Sequence, residues 1–206
     1  QNIIYNGYDE HKIKKIAVNN KDKVKRDFSF IYAGSLNNQR DKILDIFLKI
    51  IDKNVNKFKD IKIYIYTSNC RGISKKYQNL IQNNNLIIEN LIPQDKLFKL
   101  IYNSFCALHF MPESQSYIVS IKLFEYGILK RPVLSINAGG DTDYLINKHK
   151  LGYSIKYNEE KKILDVINQL YNKWQNNPYF KNDTIGLEKY SYENLTKEYL
   201  NIINTL

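Results

Sequence analysis

Apolar positions along this chain alternate between short continuous runs and stripes at helical spacing. Phe28-Ser29-Phe30-Ile31-Tyr32-Ala33 is an apolar run closed by Gly34-Ser35, and it predicts a buried strand. From Asp41 to Val55 the residues Ile43, Leu44, Ile46, Phe47, Ile50 and Ile51 recur on one helical face. Ile61 to Tyr66 alternates like a strand, about Ser74 to Gln82 reads as a weaker helix, and Leu86-Ile87-Ile88 is a short third strand. Pro93 suits the first turn of a helix running to about Asn103, where its missing N–H costs nothing. Phe105 to Phe110 is a fourth strand, and a loop from Pro112 to Tyr117 leads to a helix from about Ser120 to Leu129. Arg131 to Ile136 is the next strand; Ala138-Gly139-Gly140 turns into a short helix, and Gly152 to Ile155 is a last strand. Two helical stretches finish the chain, about Glu159 to Asn176 and about Ile185 to Thr205.

Strands that alternate with helices in this way imply βαβ units and a parallel sheet covered on both faces. The fold class expected is therefore α/β, a doubly wound Rossmann-like sheet. Ligands of such folds bind beyond the carboxyl ends of the strands, near a topological switch point. The loops in question are Gly34 to Arg40, Thr67 to Gly72, Glu89 to Pro93, Met111 to Ser120 and Asn137 to Asp141. Residues 11–26 are lysine-rich and read as a solvated connector.

Composition narrows the class only a little. At 206 residues the chain fits about one domain, and 43% apolar with 25% charged residues is ordinary for a soluble protein. No apolar run approaches the ~18 residues of a membrane span, and no signal peptide opens the sequence. The first residue is Gln1 rather than Met, so a piece of a longer protein is expected. The net charge of +10 favours anionic partners, but the lysines are diffuse and no basic block interleaves with aromatics, which disfavours nucleic acid. Cys70 and Cys106 stand far apart without a CxxC, so neither a disulfide framework nor a zinc site is expected, and a reducing cytoplasm suits both thiols. His11 and His149 lie in polar surroundings. His109 lies inside an apolar run and reads as a satisfied histidine at a strand end rather than a ligand. Most of the tyrosines fall at apolar periodic positions and read as core or rim.

Two loops could carry chemistry. Gly34-Ser35-Leu36-Asn37-Asn38-Gln39-Arg40 joins a strand to a helix, where free N–H groups and the helix dipole attract an anion and Arg40 adds a bidentate donor. An ordinary turn with a surface arginine has the same pattern. Ser120 is positioned to cap the next helix start. Lys122 and Glu125, three residues apart, share a helix face: the carboxylate can hold the vicinal hydroxyls of a ribose and the lysine a phosphate, or the two form an exposed ion pair. Glu113, Asp141 and Asp143 are further acids near strand ends. Asp141-Thr142-Asp143 has metal-ligand spacing, but two acids at a helix start are more simply explained by the dipole, so no metal is expected.

Set in order, several stretches resemble one family. Ser120-Ile121-Lys122-Leu123-Phe124-Glu125-Tyr126-Gly127-Ile128-Leu129-Lys130-Arg131-Pro132-Val133-Leu134 resembles the "K-L-F-E-Y-(M/L)-A-x-G-K-P-V-(I/L)" stretch of retaining, GT-B-fold glycosyltransferases of the group 1 / family 4 type. Asn6-Gly7-Tyr8-Asp9 resembles their "N-G-(V/I)-D", and Tyr32-Ala33-Gly34-Ser35-Leu36 with Arg40 their phosphate loop. Ile92-Pro93-Gln94-Asp95-Lys96-Leu97 resembles "(V/I)-P-x-(E/D)-x-(L/I)"; Gly139-Gly140 and Gly152 fall where the family has its later glycines. Lys189-Tyr190-Ser191-Tyr192-Glu193-Asn194-Leu195 resembles "F-S-W-E-x-L".

The resemblance implies the C-terminal half of a GT-B fold. It divides the chain into a linker remnant at 1–26, a nucleotide-sugar-binding domain at 27–180, and a C-terminal helix at 181–206 that crosses back toward an N-terminal domain not contained in the sequence. It implies a donor site of Gly34, Ser35, Arg40, Leu91, Tyr117, Ile118, Val119, Ser120, Lys122 and Glu125. Glu125 would bind ribose, Arg40 the diphosphate, backbone near Asn90-Leu91-Ile92 the base, and backbone near Ile118-Val119-Ser120 the phosphates. Two positions depart from the pattern: Tyr117 stands where the family often has a second glutamate, and Ser35 where many members carry a basic residue. The activity implied is metal-independent, retaining transfer from a nucleoside diphosphate sugar (UDP or GDP) to a glycan or lipid-linked acceptor, without a cofactor. Surface-polysaccharide synthesis in the cytoplasm, at the inner face of the membrane, is the matching setting; the acceptor-side catalytic residues lie outside the sequence. The competing readings are a non-catalytic nucleotide-binding or scaffolding domain of the same fold, and a basic nucleic-acid-binding domain.

Overall fold

In the computed structural model the apolar runs, too short to make helices, form six strands, and the residues between them form the helices that cover the sheet. Residues 4–19, 24–69 and 71–205 are described. Cys70 and the opening residues 1–3 lie outside the described residues. The chain runs α1 (Glu10–Asn19), β1 (Ser29–Ala33), α2 (Arg40–Lys53), β2 (Lys62–Tyr66), α3 (Arg71–Lys76), α4 (Gln78–Gln82), β3 (Leu86–Glu89), α5 (Gln94–Asn103) and β4 (Cys106–Met111). After one 3-10 turn (Glu113–Gln115) come α6 (Ile121–Ile128), β5 (Val133–Asn137), α7 (Asp141–Lys148), β6 (Gly152–Lys156) and α8 (Glu160–Asn176). A second 3-10 turn (Glu188–Tyr190) precedes α9 (Tyr192–Asn204). No helix among the described residues is long and apolar enough to cross a membrane.

All strand pairings in the sheet are parallel, in the order β3-β2-β1-β4-β5-β6. This is the doubly wound, Rossmann-like arrangement expected. Buried strands explain why the runs are apolar throughout: β1 alternates Phe30 and Tyr32 into one core layer with Ile31 and Ala33 into the other. The first layer packs beneath α2 and α8, through Phe47, Ile51, Ile163 and Ile167; the second packs beneath α5, α6 and α7.

Four expectations need correcting. The segment 11–26 is not simply solvated: α1 buries Ile13, and Arg26 is buried, donating to the Tyr102 carbonyl (3.1 Å) and the Val24 carbonyl (3.0 Å). The weak helix from Ser74 to Gln82 is two helices. They break at Tyr77, whose ring is drawn under α2 where its hydroxyl donates to Asp45 Oδ1 (2.8 Å). The last helix starts at Tyr192, because Tyr8 and Ser191 form a β-bridge and Ser191 Oγ then accepts from Asn194 N (3.3 Å) as the cap. His149 is buried, bonded to the Ile185 carbonyl (2.8 Å) and the Tyr190 hydroxyl (3.0 Å).

Helix α6 ends in a Schellman turn: Arg131 N donates to Tyr126 O (3.0 Å) and Lys130 N to Gly127 O (3.0 Å). Lys130 takes the left-handed position, φ 58°, that such turns usually give to glycine.

Candidate functional site

The strand order reverses between β1 and β4, and that is where the sheet opens. β1 and β4 pair only at Phe30–Cys106 and Ile31–Ala107. Beyond that point the strands part, leaving a cavity of about 200 Å³ lined by Tyr32, Ser35, Arg40, His109, Ser120 and Lys122, with β4 backbone residues behind. Tyr32 stacks on Phe110 across the opening (4.8 Å between centroids), and its hydroxyl donates to the Ser35 carbonyl (2.7 Å). These contacts hold the first loop against β4.

Two cations project into this cavity. Arg40 opens α2, donates through Nε to the Phe110 carbonyl (3.3 Å), and through Nη2 to Gln115 Oε1. It therefore ties the loop after β1 to the loop after β4 as well as offering charge. Lys122 does not pair with Glu125 on the helix surface, and the exposed ion pair is overturned. Its ammonium turns back to the carbonyl of Ala33, at the end of β1, and fills the space that a side chain at Gly34 would need. Burial, and then Arg40, pull the Lys122 pKa below its ordinary value against the opposing field of Glu125. A half-buried ammonium bonded to a carbonyl, with no carboxylate against it among the described residues, favours a nearby anion more than a surface lysine does.

Ser120 is the N-cap residue of α6, but its hydroxyl makes no capping bond. The first-turn N–H groups beside Lys122 thus have no side-chain acceptor, and their dipole adds to the positive field. Glu125 lies one turn further on, half-buried, and accepts from Gln94 Nε2 at the start of α5 (3.1 Å). Burial raises its pKa, while Lys122 and then Gln94 oppose that rise.

The structure thus brings Gly34, Ser35, Arg40, Ser120 and Lys122 together, with Glu125 on the same helix. Leu91, Tyr117, Ile118 and Val119 do not line the cavity. Leu91, Tyr117 and Ile118 are exposed, Tyr117 by 75%, and Val119 is partly buried. Gln94, Gln115 and His109 are site residues that sequence reasoning missed, and Tyr32, quoted with the phosphate loop, was not singled out. Gln94 sits inside the Ile92–Leu97 motif, so its position was visible, but its pairing with Glu125 was not. A larger groove of about 820 Å³ lies between α2 and α3, lined by Asn37, Asp41, Asp45, Asn69 and Lys76 among others. It lies beside the switch point, at the carboxyl ends of β1 and β2 rather than between β1 and β4, and its Lys76–Asp45 pair is already satisfied (2.7 Å). Asp141 and Asp143 open α7, and no group of three metal-ligating side chains occurs among the described residues.

No protein-family model matches the chain, and a search of curated proteins finds no match. Solved structures do match. An S. aureus TarM variant in complex with Fondaparinux, alpha-GlcNAc-glycerol and UDP aligns over 86% of this chain and 36% of its own, at 21% identity and TM-score 0.58. The pneumococcal O-GlcNAc transferase GtfA in complex with UDP and GlcNAc aligns over 87% and 36%, at 14% identity and TM-score 0.62. Anabaena HepE in complex with UDP-glucose aligns over 100% and 57%, at 14% identity and TM-score 0.65. The chain shares their fold. It spans between about a third and just over half of the length of these proteins.

Proposed function

We propose that this chain is the donor-binding part of a glycosyltransferase and that the cavity between β1 and β4 holds the diphosphate of a nucleoside diphosphate sugar. The observation that carries the reading is the meeting of Arg40, Lys122 and the start of α6, which lacks a side-chain cap, around one cavity at the switch point. Glu125, one helical turn away, is at the right remove to accept hydrogen bonds from ribose hydroxyls, with Gln94 steadying it. The similar structures named above carry UDP or UDP-glucose, which supports a uridine nucleotide as the first ligand to try.

In this reading Lys122, Arg40 and the α6 N–H groups stabilise negative charge on the departing diphosphate, an electrostatic role that needs no metal. The sequence resemblance supports retention of anomeric configuration, a GT-B architecture of the group 1 / family 4 type, and an acceptor site on a second domain. A glycan or lipid-linked acceptor at the inner face of the membrane belongs to the same proposal. The exposed Tyr117, in place of the family's second glutamate, favours a second reading in which the chain binds nucleotide without turning over sugar.

Calorimetry with UDP and GDP tests the proposal. One of them should bind, and Glu125→Ala should lose a charge-assisted hydrogen bond, about 1.5–3 kcal/mol of affinity. Unchanged affinity in that variant sinks the assignment of Glu125.

A further inference from the structure

His109 lies in β4, is only 4% exposed, and lines the same cavity as Arg40 and Lys122. Its hydrogen-bond partners decide which ring nitrogen carries the proton. Gly139 N–H donates to Asn137 Oδ1 (2.6 Å), which fixes the face of that amide. Asn137 Nδ2 therefore donates both of its hydrogens, to Ser135 Oγ (2.9 Å) and to Ser154 Oγ (2.7 Å). Ser135 Oγ is buried and must also place its own hydrogen; Asn137 Nδ2 can only donate to it, and among the described residues the acceptor within reach is His109 Nδ1, 3.0 Å away. With Nδ1 an acceptor, the neutral ring carries its hydrogen on Nε2. No described residue hydrogen-bonds that Nε2, and it is not among the fully enclosed atoms left without a partner.

We propose that His109 is a third, uncharged donor of the cavity, whose Nε2–H, oriented by the Gly139–Asn137–Ser135 relay, bonds an oxygen of the bound diphosphate. The inference rests on the diphosphate reading of the cavity. Burial, with Lys122 and Arg40 adding to it, pushes the imidazole pKa down to about 3, so the ring stays neutral and holds this tautomer across the physiological range. An uncharged donor adds a bond to phosphate without repelling the two cations beside it. The relay also links the Gly139–Gly140 loop to the phosphate pocket through β5 and β4.

The test is nitrogen-15 NMR of the three histidine rings in the intact chain, titrated with inorganic pyrophosphate, which carries the two phosphates without a base. His109→Gln and His109→Leu assign the signal. The expected result is an Nε2-protonated ring at neutral pH whose Nε2 resonance moves on addition of pyrophosphate. His109→Leu should bind pyrophosphate on the order of ten-fold more weakly, and His109→Gln, which returns an N–H near the Nε2 position, should recover most of that loss. A merely structural histidine would leave the Nε2 signal unmoved while pyrophosphate binds, or would show the proton on Nδ1; either result overturns the proposal and leaves the diphosphate reading standing. If the unaltered chain binds no pyrophosphate, both fall together.

Discussion

Replacing Lys122 with methionine separates what this lysine does for the fold from what it does for a ligand. In the free protein its ammonium is half-buried and gives one of three hydrogens to the Ala33 carbonyl, at the mouth of the β1–β4 opening. Methionine fills nearly the same space. It leaves the Ala33 carbonyl without that donor but removes a half-buried charge that, among the described residues, no carboxylate neutralises at contact distance. These two effects are each of order 1–3 kcal/mol and opposite in sign, so stability should change by no more than about 1 kcal/mol. A bound diphosphate would lose one charge-assisted hydrogen bond of about 1.5–3 kcal/mol, or roughly 10- to 150-fold in Kd. Calorimetry with UDP, UMP and uridine, alongside thermal unfolding, reads both. The loss should be largest for UDP, smaller for UMP and absent for uridine. Equal losses for all three, or an unchanged Kd for UDP, would refute the argument.

Three further substitutions probe the frame around the site. Lys130→Gly should stabilise the chain by about 0.5–1 kcal/mol in urea unfolding, because glycine relieves the left-handed backbone at the end of α6 and gives back part of that in chain entropy; a loss of stability would contradict it. Gly152→Ala should cost about 1–3 kcal/mol in the same assay, since φ is 150° and a Cβ would meet the Val133 backbone that pairs β5 with β6; a neutral result would mean that the edge strand can shift. Folded His109 titrates near 3 and an unfolded histidine near 6.5, so between those pH values only the unfolded chain holds this proton. Stability should therefore fall as pH drops from about 6.5, by up to about 1.4 kcal/mol per unit, and His109→Gln should flatten that slope above about pH 5; an identical slope would refute the neutral, buried ring.

The sheet was legible in the sequence because its central strands β1, β4 and β5 are buried on both faces. Runs such as Phe28 to Ala33 and Phe105 to Phe110 have no competing helical pattern, and the glycines and polar turns that end them mark the strand ends. Residues whose placement depends on one long-range contact were misread. Tyr77 breaks a helix because of Asp45, and the last helix is shortened because Tyr8 pairs with Ser191. The candidate site follows the same division. Ser35, Arg40 and Ser120 follow from position alone, since they lie in the loops after β1 and β4, which the parallel topology brings together. The direction of Lys122 does not, because the carbonyl it reaches is 89 residues away, and the helical spacing of Lys122 and Glu125 points to the local ion pair instead. His109 is buried in a strand, as its apolar run implies, but among the described residues only its Nδ1 is bonded, and its face toward the cavity depends on a hydrogen-bond chain that no spacing encodes.

A crystal structure of the chain with UDP bound, or GDP if calorimetry selects it, tests the central claim most directly. The account predicts the diphosphate between β1 and β4, within hydrogen-bond distance of Lys122 and the start of α6, with the ribose hydroxyls on Glu125. Nucleotide seated instead in the larger groove between α2 and α3, or on the surface with Lys122 still turned to Ala33 and Glu125 untouched, would contradict it.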